Sequence, residues 1–118
     1  MTGRTVVACH AADVPPGERQ LVEVDGVSIG VFNIGERFVA VRNVCPHAFG
    51  PVCLGRVGGT TLPGPPGELR WGREGEILAC PWHGWEFDLL TGCALADRRR
   101  HLHVYPVRVC EGEVLVTL

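Results

Sequence analysis

The sequence predicts an all-β domain built from short antiparallel strands. Sixteen glycines and nine prolines are spread through 118 residues, and this density favours turns over long helices. Apolar and polar residues alternate in several short segments, which is the pattern of strands with one buried face. Asp25 and Gly26 divide one such segment with a dipeptide typical of two-residue hairpin turns. We expect a single domain, residues 1–118, because this length can bury a core of its own.

The first half of the chain is predicted to form an N-terminal strand and a three-stranded meander. The run TVVAC at 5–9 is apolar and largely β-branched. Two strands in 20–33 flank the Asp25-Gly26 turn, and a third covers RFVAVR at 37–42. The meander therefore leads straight to Cys45.

The alternating pattern lapses after Cys53. Residues 55–76 are rich in glycine and proline, with few side chains that could pack, and we interpret them as an inserted loop. The loop is expected to be a surface hairpin without a special role or an element that docks a partner through Trp71, Arg70 and Arg73.

Strand patterns return in the last third of the chain. EILAC at 76–80 is predicted as a strand, and 85–95 as a hairpin. The segments 102–109 and 114–118 complete a total of roughly nine strands. Pro106 cannot donate a ladder hydrogen bond, so an edge strand or a bulge is expected there.

Composition excludes several classes of function. A formal net charge of -2 supplies no basic field for binding nucleic acid. No segment approaches the roughly 20 apolar residues of a membrane span, and no signal-peptide core is visible. We therefore expect a cytoplasmic protein. In that compartment the six cysteines indicate metal binding or plain burial rather than disulfides.

Two short motifs carry the chemistry. CPH begins at Cys45 and CPWHGW begins at Cys80, so each loop offers one thiol and one imidazole, His47 and His83. Together they provide two soft thiolates and two imidazoles for metal. Zinc sites usually pair Cys with Cys and His with His. The mixed loops fit better if one metal takes both thiolates and its neighbour takes both imidazoles.

The paired motifs resemble the C-x-H and C-x2-H signature of Rieske proteins, and the likeness covers essentially the whole chain. The resemblance implies a Rieske iron-sulfur domain, in which antiparallel sheets form a small sandwich or barrel base. A two-loop cluster-binding part would span about 43–88. By the family pattern, Cys45 and Cys80 bind the inner iron of one [2Fe-2S] cluster, and His47 and His83 bind the outer iron.

The sequence departs from the respiratory-chain members that it resembles. Trp82 stands where those proteins have a cysteine that forms a disulfide with the first loop, so Cys53 lacks this partner. Trp85 and Phe87 stand where the high-potential members have hydroxyls that donate to the cluster sulfurs. With fewer donors, we expect a potential at the low end of the Rieske range, roughly −150 mV. This pattern is similar to that of the Rieske-type ferredoxins that feed oxygenases.

The expected function is electron transport rather than catalysis. All ligands would come from the protein, which leaves no open position on the metal for a substrate. The resemblance implies a monomeric carrier between a flavoprotein reductase and a terminal oxygenase of a dioxygenase system. One alternative is the small subunit of an assimilatory nitrite reductase. Another, from a different class, is a non-redox zinc-binding interaction module.

The remaining cysteines and a basic run have simpler interpretations. Cys9, Cys93 and Cys110 are predicted to be small apolar residues, and Cys53 to be neither a ligand nor half of a disulfide. The three arginines at 98–100 are interpreted as a solvated turn, with docking of an acidic partner as the alternative.

Overall fold

The computed structural model describes residues 4–35, 37–46, 49–62, 67, 70–82 and 84–118. In these ranges the strands form three antiparallel sheets, which confirms the all-β prediction. Short 3-10 helices cover Ala11–Asp13 and Val52–Leu54, and no helix in the described ranges is long and apolar enough to cross a membrane. The strands are β1 (Thr5–His10), β2 (Arg19–Val24), β3 (Val27–Ile34), β4 (Arg37–Arg42), β5 (Arg56–Leu62), β6 (Arg70–Ala79), β7 (Glu86–Asp88), β8 (Val104–Tyr105), β9 (Val107–Cys110) and β10 (Glu113–Thr117).

The central sheet has the order β2-β3-β4-β8 and contains the predicted meander. Asp25 and Gly26 both adopt positive φ angles, 52° and 79°, as a tight hairpin turn with this dipeptide requires. Both faces of the sheet are covered. On β4, for example, Val39 and Val41 belong to one core, while Ala40 belongs to the other.

The sheet β1-β10-β9 packs on one face of the central sheet. The chain passes between these two sheets at Pro106, because β8 pairs with β4 whereas β9 pairs with β10. Pro106 has no N–H to donate, but its carbonyl accepts from Thr117 at 3.0 Å. The irregularity expected at this proline is confirmed. This core contains Ile29, Val31, Ala40, Tyr105, Val114 and Val116.

The other face of the central sheet packs on β5-β6-β7 and on the two cysteine-bearing loops. The buried side chains of this second core include Phe32, Leu78, Phe87 and Leu102. Cys45, Cys53 and Cys80 are part of it as well. The fold therefore places three thiols at the boundary between the meander and the third sheet.

The prediction that 55–76 form a loop without strands was wrong, because β5 and the first part of β6 lie in this segment. Backbone pairing is what forms this hairpin: Gly58 pairs with Ile77 and Thr60 pairs with Gly72. The ladder thus skips 73–76 on β6, which bulge out. Gly59 suits its position because little space remains beside it: a Cβ there would overlap the Gly72 carbonyl oxygen and lie 2.9 Å from the Nε1 atom of Trp71. Residues 63–66, 68 and 69 and the side chain of Arg70 lie outside what the structure describes, and docking through Trp71, which is 62% exposed, stays a prediction.

Arg73 is held by carboxylates instead of being free to dock a partner. It adopts φ 58° in the bulge, and its guanidinium donates to Glu76 at 2.8 Å and to Asp88 at 2.9 Å. Asp88 is 9% exposed. Burial alone would raise the pKa of Asp88, but hydrogen bonds from Arg73 and from the Leu90 N–H outweigh it, so the pKa lies below its usual value.

We expect Arg73→Met to lower the free energy of unfolding at pH 7 by about 1–3 kcal/mol, because it leaves a buried carboxylate without its cation. Since the pKa of Asp88 is depressed in the native state, its contribution is fully present above the unfolded-state pKa and is lost as the pH falls through the native one. The difference from the parent, measured by urea denaturation, should therefore shrink below about pH 4. Arg37→Met, at an exposed site on β4, is the control. A difference that stays constant from pH 7 to pH 3 would contradict this account.

Candidate metal centre

The first cysteine-bearing loop follows β4 and is closed by two backbone hydrogen bonds. The Cys45 N–H donates to the Gly50 carbonyl at 2.8 Å, and the Cys45 carbonyl accepts from the Phe49 N–H at 2.7 Å. Phe49 adopts φ 58°, a left-handed conformation that costs a non-glycine residue about 1 kcal/mol. Pro46 follows the cysteine and fixes the start of the loop.

The second loop follows β6 and repeats the same pattern at the same offsets. The Cys80 N–H donates to the Trp85 carbonyl at 2.8 Å, and the Cys80 carbonyl accepts from the Gly84 N–H at 2.9 Å. Gly84 occupies the place of Phe49, and its φ is also positive at 71°. Pro81 again follows the cysteine. The two loops thus share these closing hydrogen bonds and a positive φ at the same offset, each with its cysteine at the base.

The structure brings the two cysteine candidates into one core. Cys45 is completely buried and Cys80 is 2% exposed, in the same group of packed side chains. Two buried sulfurs on equivalent loops suit the thiolate half of a metal centre, because sulfur ligands prefer soft metals and iron-sulfur clusters. The other two candidates, His47 and His83, lie outside the described residues.

Trp82 makes a direct contact between the loops. Its indole lies on Gly50: a Cβ at that position would be 2.7 Å from the Trp82 Cδ2 atom. Trp82 nevertheless remains 57% exposed. The respiratory-chain Rieske proteins are expected to join the two loops by a disulfide at this place. In this chain the Trp82 indole packs against Gly50 instead. Sequence reasoning identified the missing cysteine but not this contact.

The bases of the loops are held by contacts that the sequence did not reveal. Arg19, on β2, donates to the carbonyls of Cys53 and Gly55 at 2.7 and 2.5 Å. Its guanidinium also lies over the Phe32 ring, 5.4 Å from the centroid. Gly55 in turn abuts the carbonyl of Ala79, the residue before Cys80. These contacts join the end of the first loop to the beginning of the second.

Cys53 lies in the same core with a thiol that is difficult to ionise. Burial raises its pKa to about 12, and its Sγ donates to the Val41 carbonyl at 3.7 Å. Cys9 and Cys93 are half-buried, whereas Cys110 is exposed on β9. The prediction of a small apolar residue is therefore wrong for Cys110, since the outer face of that edge strand is open to solvent.

Known proteins resemble this chain over nearly its full length. The profile of the Rieske [2Fe-2S] domain matches residues 4–106. The 3-phenylpropionate/cinnamic acid dioxygenase ferredoxin subunit of Escherichia coli K12 is 30% identical over 96% of this chain and 92% of its own length. A chain in a complex of reduced oxygenase and oxidized ferredoxin of carbazole 1,9a-dioxygenase is 28% identical, with a TM-score of 0.73 over 96% of this chain and 92% of that one.

A further solved structure comes from Mycobacterium tuberculosis and is described as the small subunit of an NADH-dependent nitrite reductase. It is 27% identical, with a TM-score of 0.74 over 98% of this chain and 95% of its own. The match of the domain profile to most of the chain, together with the equivalent cysteine loops, identifies the family. This chain belongs to the Rieske [2Fe-2S] domain family.

Proposed function

We propose that this protein is a one-electron carrier that accepts electrons from a flavoprotein reductase and delivers them to a terminal oxygenase. The observation that carries the proposal is the pair of equivalent loops, each with a buried cysteine at its base. The ferredoxin subunits similar to this chain belong by name to dioxygenase systems, which supports an oxygenase as the acceptor. We infer that the carrier is monomeric and cytoplasmic.

The chain binds one Rieske-type [2Fe-2S] cluster, as its family does. We assign Cys45 and Cys80 to the inner iron, and His47 and His83 to the outer iron. When bound, the cluster takes up and releases a single electron. The surrounding core keeps water away from the two thiolates, and the loop hydrogen bonds hold both sulfurs in place, so little reorganisation accompanies a change in charge.

Electrons are proposed to enter and leave at the loop end of the molecule. Phe49 is 78% exposed and Trp82 is 57% exposed, and both belong to the two loops. Exposed aromatic side chains around a redox centre suit a small, transient interface, as electron-transfer partners use. The same end can serve the reductase and the oxygenase in turn.

A low reduction potential is the expected property of this site. Trp85 and Phe87, which replace the hydroxyl donors of high-potential members, lie with ring centroids 6.5 Å apart, and neither has a hydroxyl to offer. We expect a midpoint potential of roughly −150 mV, the low end of the Rieske range. Protein-film voltammetry measures it directly, and a value above about 0 mV would contradict the assignment to oxygenase-feeding ferredoxins.

Metal analysis separates the redox proposal from the zinc alternative. The purified protein should be brown, contain two irons and two acid-labile sulfides per chain, and bleach on addition of dithionite. A colourless protein with one zinc per chain would overturn the proposal.

The nitrite reductase alternative is supported by the Mycobacterium tuberculosis structure. Reconstitution distinguishes it from the ferredoxin proposal. A free carrier should support turnover of an aromatic-ring oxygenase with a flavoprotein reductase and NADH, at micromolar concentration and without forming a stable complex. Stable co-purification with a nitrite reductase large subunit would favour the alternative.

A further inference from the structure

Arg100 contacts both cysteine-bearing loops from a third segment of the chain. Its Nη1 donates to the carbonyl of Pro46 at 3.3 Å, between Cys45 and the predicted ligand His47. Its guanidinium also lies over the Trp85 ring, 5.5 Å from the centroid, within the range of a cation–π interaction. One side chain therefore reaches the beginning of the first loop and the end of the second.

The backbone of Arg100 is anchored, so this placement follows from the fold. Its carbonyl accepts from the N–H of Ala94 at 2.9 Å, and its N–H donates to Asp97 at 3.0 Å. Ala94 belongs to the same core as the two cysteines. The next residue, His101, forms a β-bridge with Cys93. Neighbouring structure therefore fixes the Cα position from which the side chain extends.

The other arginines of this run differ from Arg100. Arg99 has a 91% exposed side chain and pairs with Asp97 in the same turn, and Arg98 is exposed. The side chain of Arg100 is 46% exposed, and its Nε also lies 3.8 Å from an Asp97 carboxylate oxygen, a longer contact than that of Arg99. The interpretation of the whole run as a solvated turn therefore holds for Arg98 and Arg99, and Arg100 is the exception.

We propose that Arg100 is a positioning residue that clamps the two cluster-binding loops and holds a fixed positive charge beside the cluster. This inference rests on the proposed function. Reduction adds one negative charge to the cluster, and a nearby guanidinium stabilises the reduced state more than the oxidised one. Arg100 then raises the potential of a site that otherwise lacks hydroxyl donors. Its exposure and the neighbouring Asp97 carboxylate, 3.8 Å away, weaken the effect, because solvent screens the charge and the carboxylate offsets part of it.

Potentiometry of three variants tests the proposal on the holoprotein. Arg100→Gln should lower the equilibrium constant for reduction about three- to tenfold, which at 59 mV per tenfold is a shift of roughly 30–60 mV to more negative potential. Arg100→Lys keeps the charge and should retain most of the potential. Arg98→Gln removes the same charge from the same turn and should shift the potential by less than a third as much.

The clamp is tested separately by hydrogen–deuterium exchange of the two loops. Arg100→Gln should accelerate exchange of the Phe49 and Gly84 amides, which close the loops, whereas Arg98→Gln should leave it unchanged. Equal shifts in potential for Arg100→Gln and Arg98→Gln, or unchanged exchange in Arg100→Gln, would overturn the proposal. Failure of the proposed function is distinguished by metal analysis of the parent protein, which would then contain no iron.

Discussion

Cys80→Ser is expected to abolish cluster binding and reduce the iron content of the purified protein more than tenfold. Serine has the shape of cysteine with a somewhat smaller terminal group, so the buried site can keep most of its packing. It is a poor ligand for the cluster because it is harder and does not ionise readily at neutral pH. Cys45→Ser should have the same effect, since the two cysteines occupy equivalent positions in equivalent loops. Iron and sulfide analysis with visible absorption spectra measures the loss.

Cys53→Ala is the matched control, because Cys53 is buried in the same core. This variant removes one sulfur from a packed site and should cost about 1–2 kcal/mol in stability while the iron content stays near that of the parent. Loss of iron from Cys53→Ala at a temperature where it remains folded, or full retention by Cys80→Ser, would contradict the ligand assignment. His47→Ala and His83→Ala test the other half of the site by the same measurement.

Local patterns in the sequence were sufficient to predict the meander and the two motifs. Alternation in 20–33 and 37–42 and the Asp25-Gly26 turn act over a few residues, so the pattern and the structure agree. The edge strand or bulge expected at Pro106 also has a local cause, because proline has no N–H to donate to a neighbouring strand. The two motifs indicated the metal chemistry, because one Cys and one His in each loop favour a two-iron cluster over a zinc site.

The hairpin in 55–76 could not be predicted from alternation. Its strands are held by backbone pairing, and Gly58 and Gly59 carry no side chains that could record a buried face. The glycine at 59 instead reflects the close approach of the Gly72 carbonyl oxygen and of the Trp71 indole. A period-two pattern requires side chains of contrasting polarity, which these positions lack.

The equivalence of the two loops was also hidden in the sequence. The left-handed position is Phe49 in one loop and Gly84 in the other, and only Gly84 signals such a backbone. Arg19 contacts the Cys53 carbonyl from 34 positions away in the chain, and Arg100 contacts the Pro46 carbonyl from 54 positions away. Pairings over such distances follow from the complete fold, and a single sequence gives no local sign of them.

Gly55→Ala is expected to lower the stability of the protein by about 3–5 kcal/mol and to reduce its iron content. The backbone of Gly55 is extended, with φ −74° and ψ 175°, so alanine is compatible with the dihedral angles. The difficulty is space. A Cβ there would overlap the carbonyl oxygen of Ala79 and lie 2.9 Å from its carbonyl carbon. Because both groups belong to the backbone, relief requires moving the start of β5 away from the end of β6 at Ala79, the residue before Cys80.

Gly58→Ala is the matched control for this steric argument. It lies three residues further along the same segment, and the nearest atom to its Cβ would be the flexible carboxylate of Glu74, at 3.9 Å. We expect a change within about 1 kcal/mol and normal iron content, whereas Gly55→Ala should lower the apparent Tm by more than about 10 °C. Equal Tm values for the two variants would contradict the close approach of Gly55 to Ala79. A lower Tm with full iron content would show that the two loops move together when β5 shifts, and that Gly55 supports the fold without setting the spacing of Cys45 and Cys80.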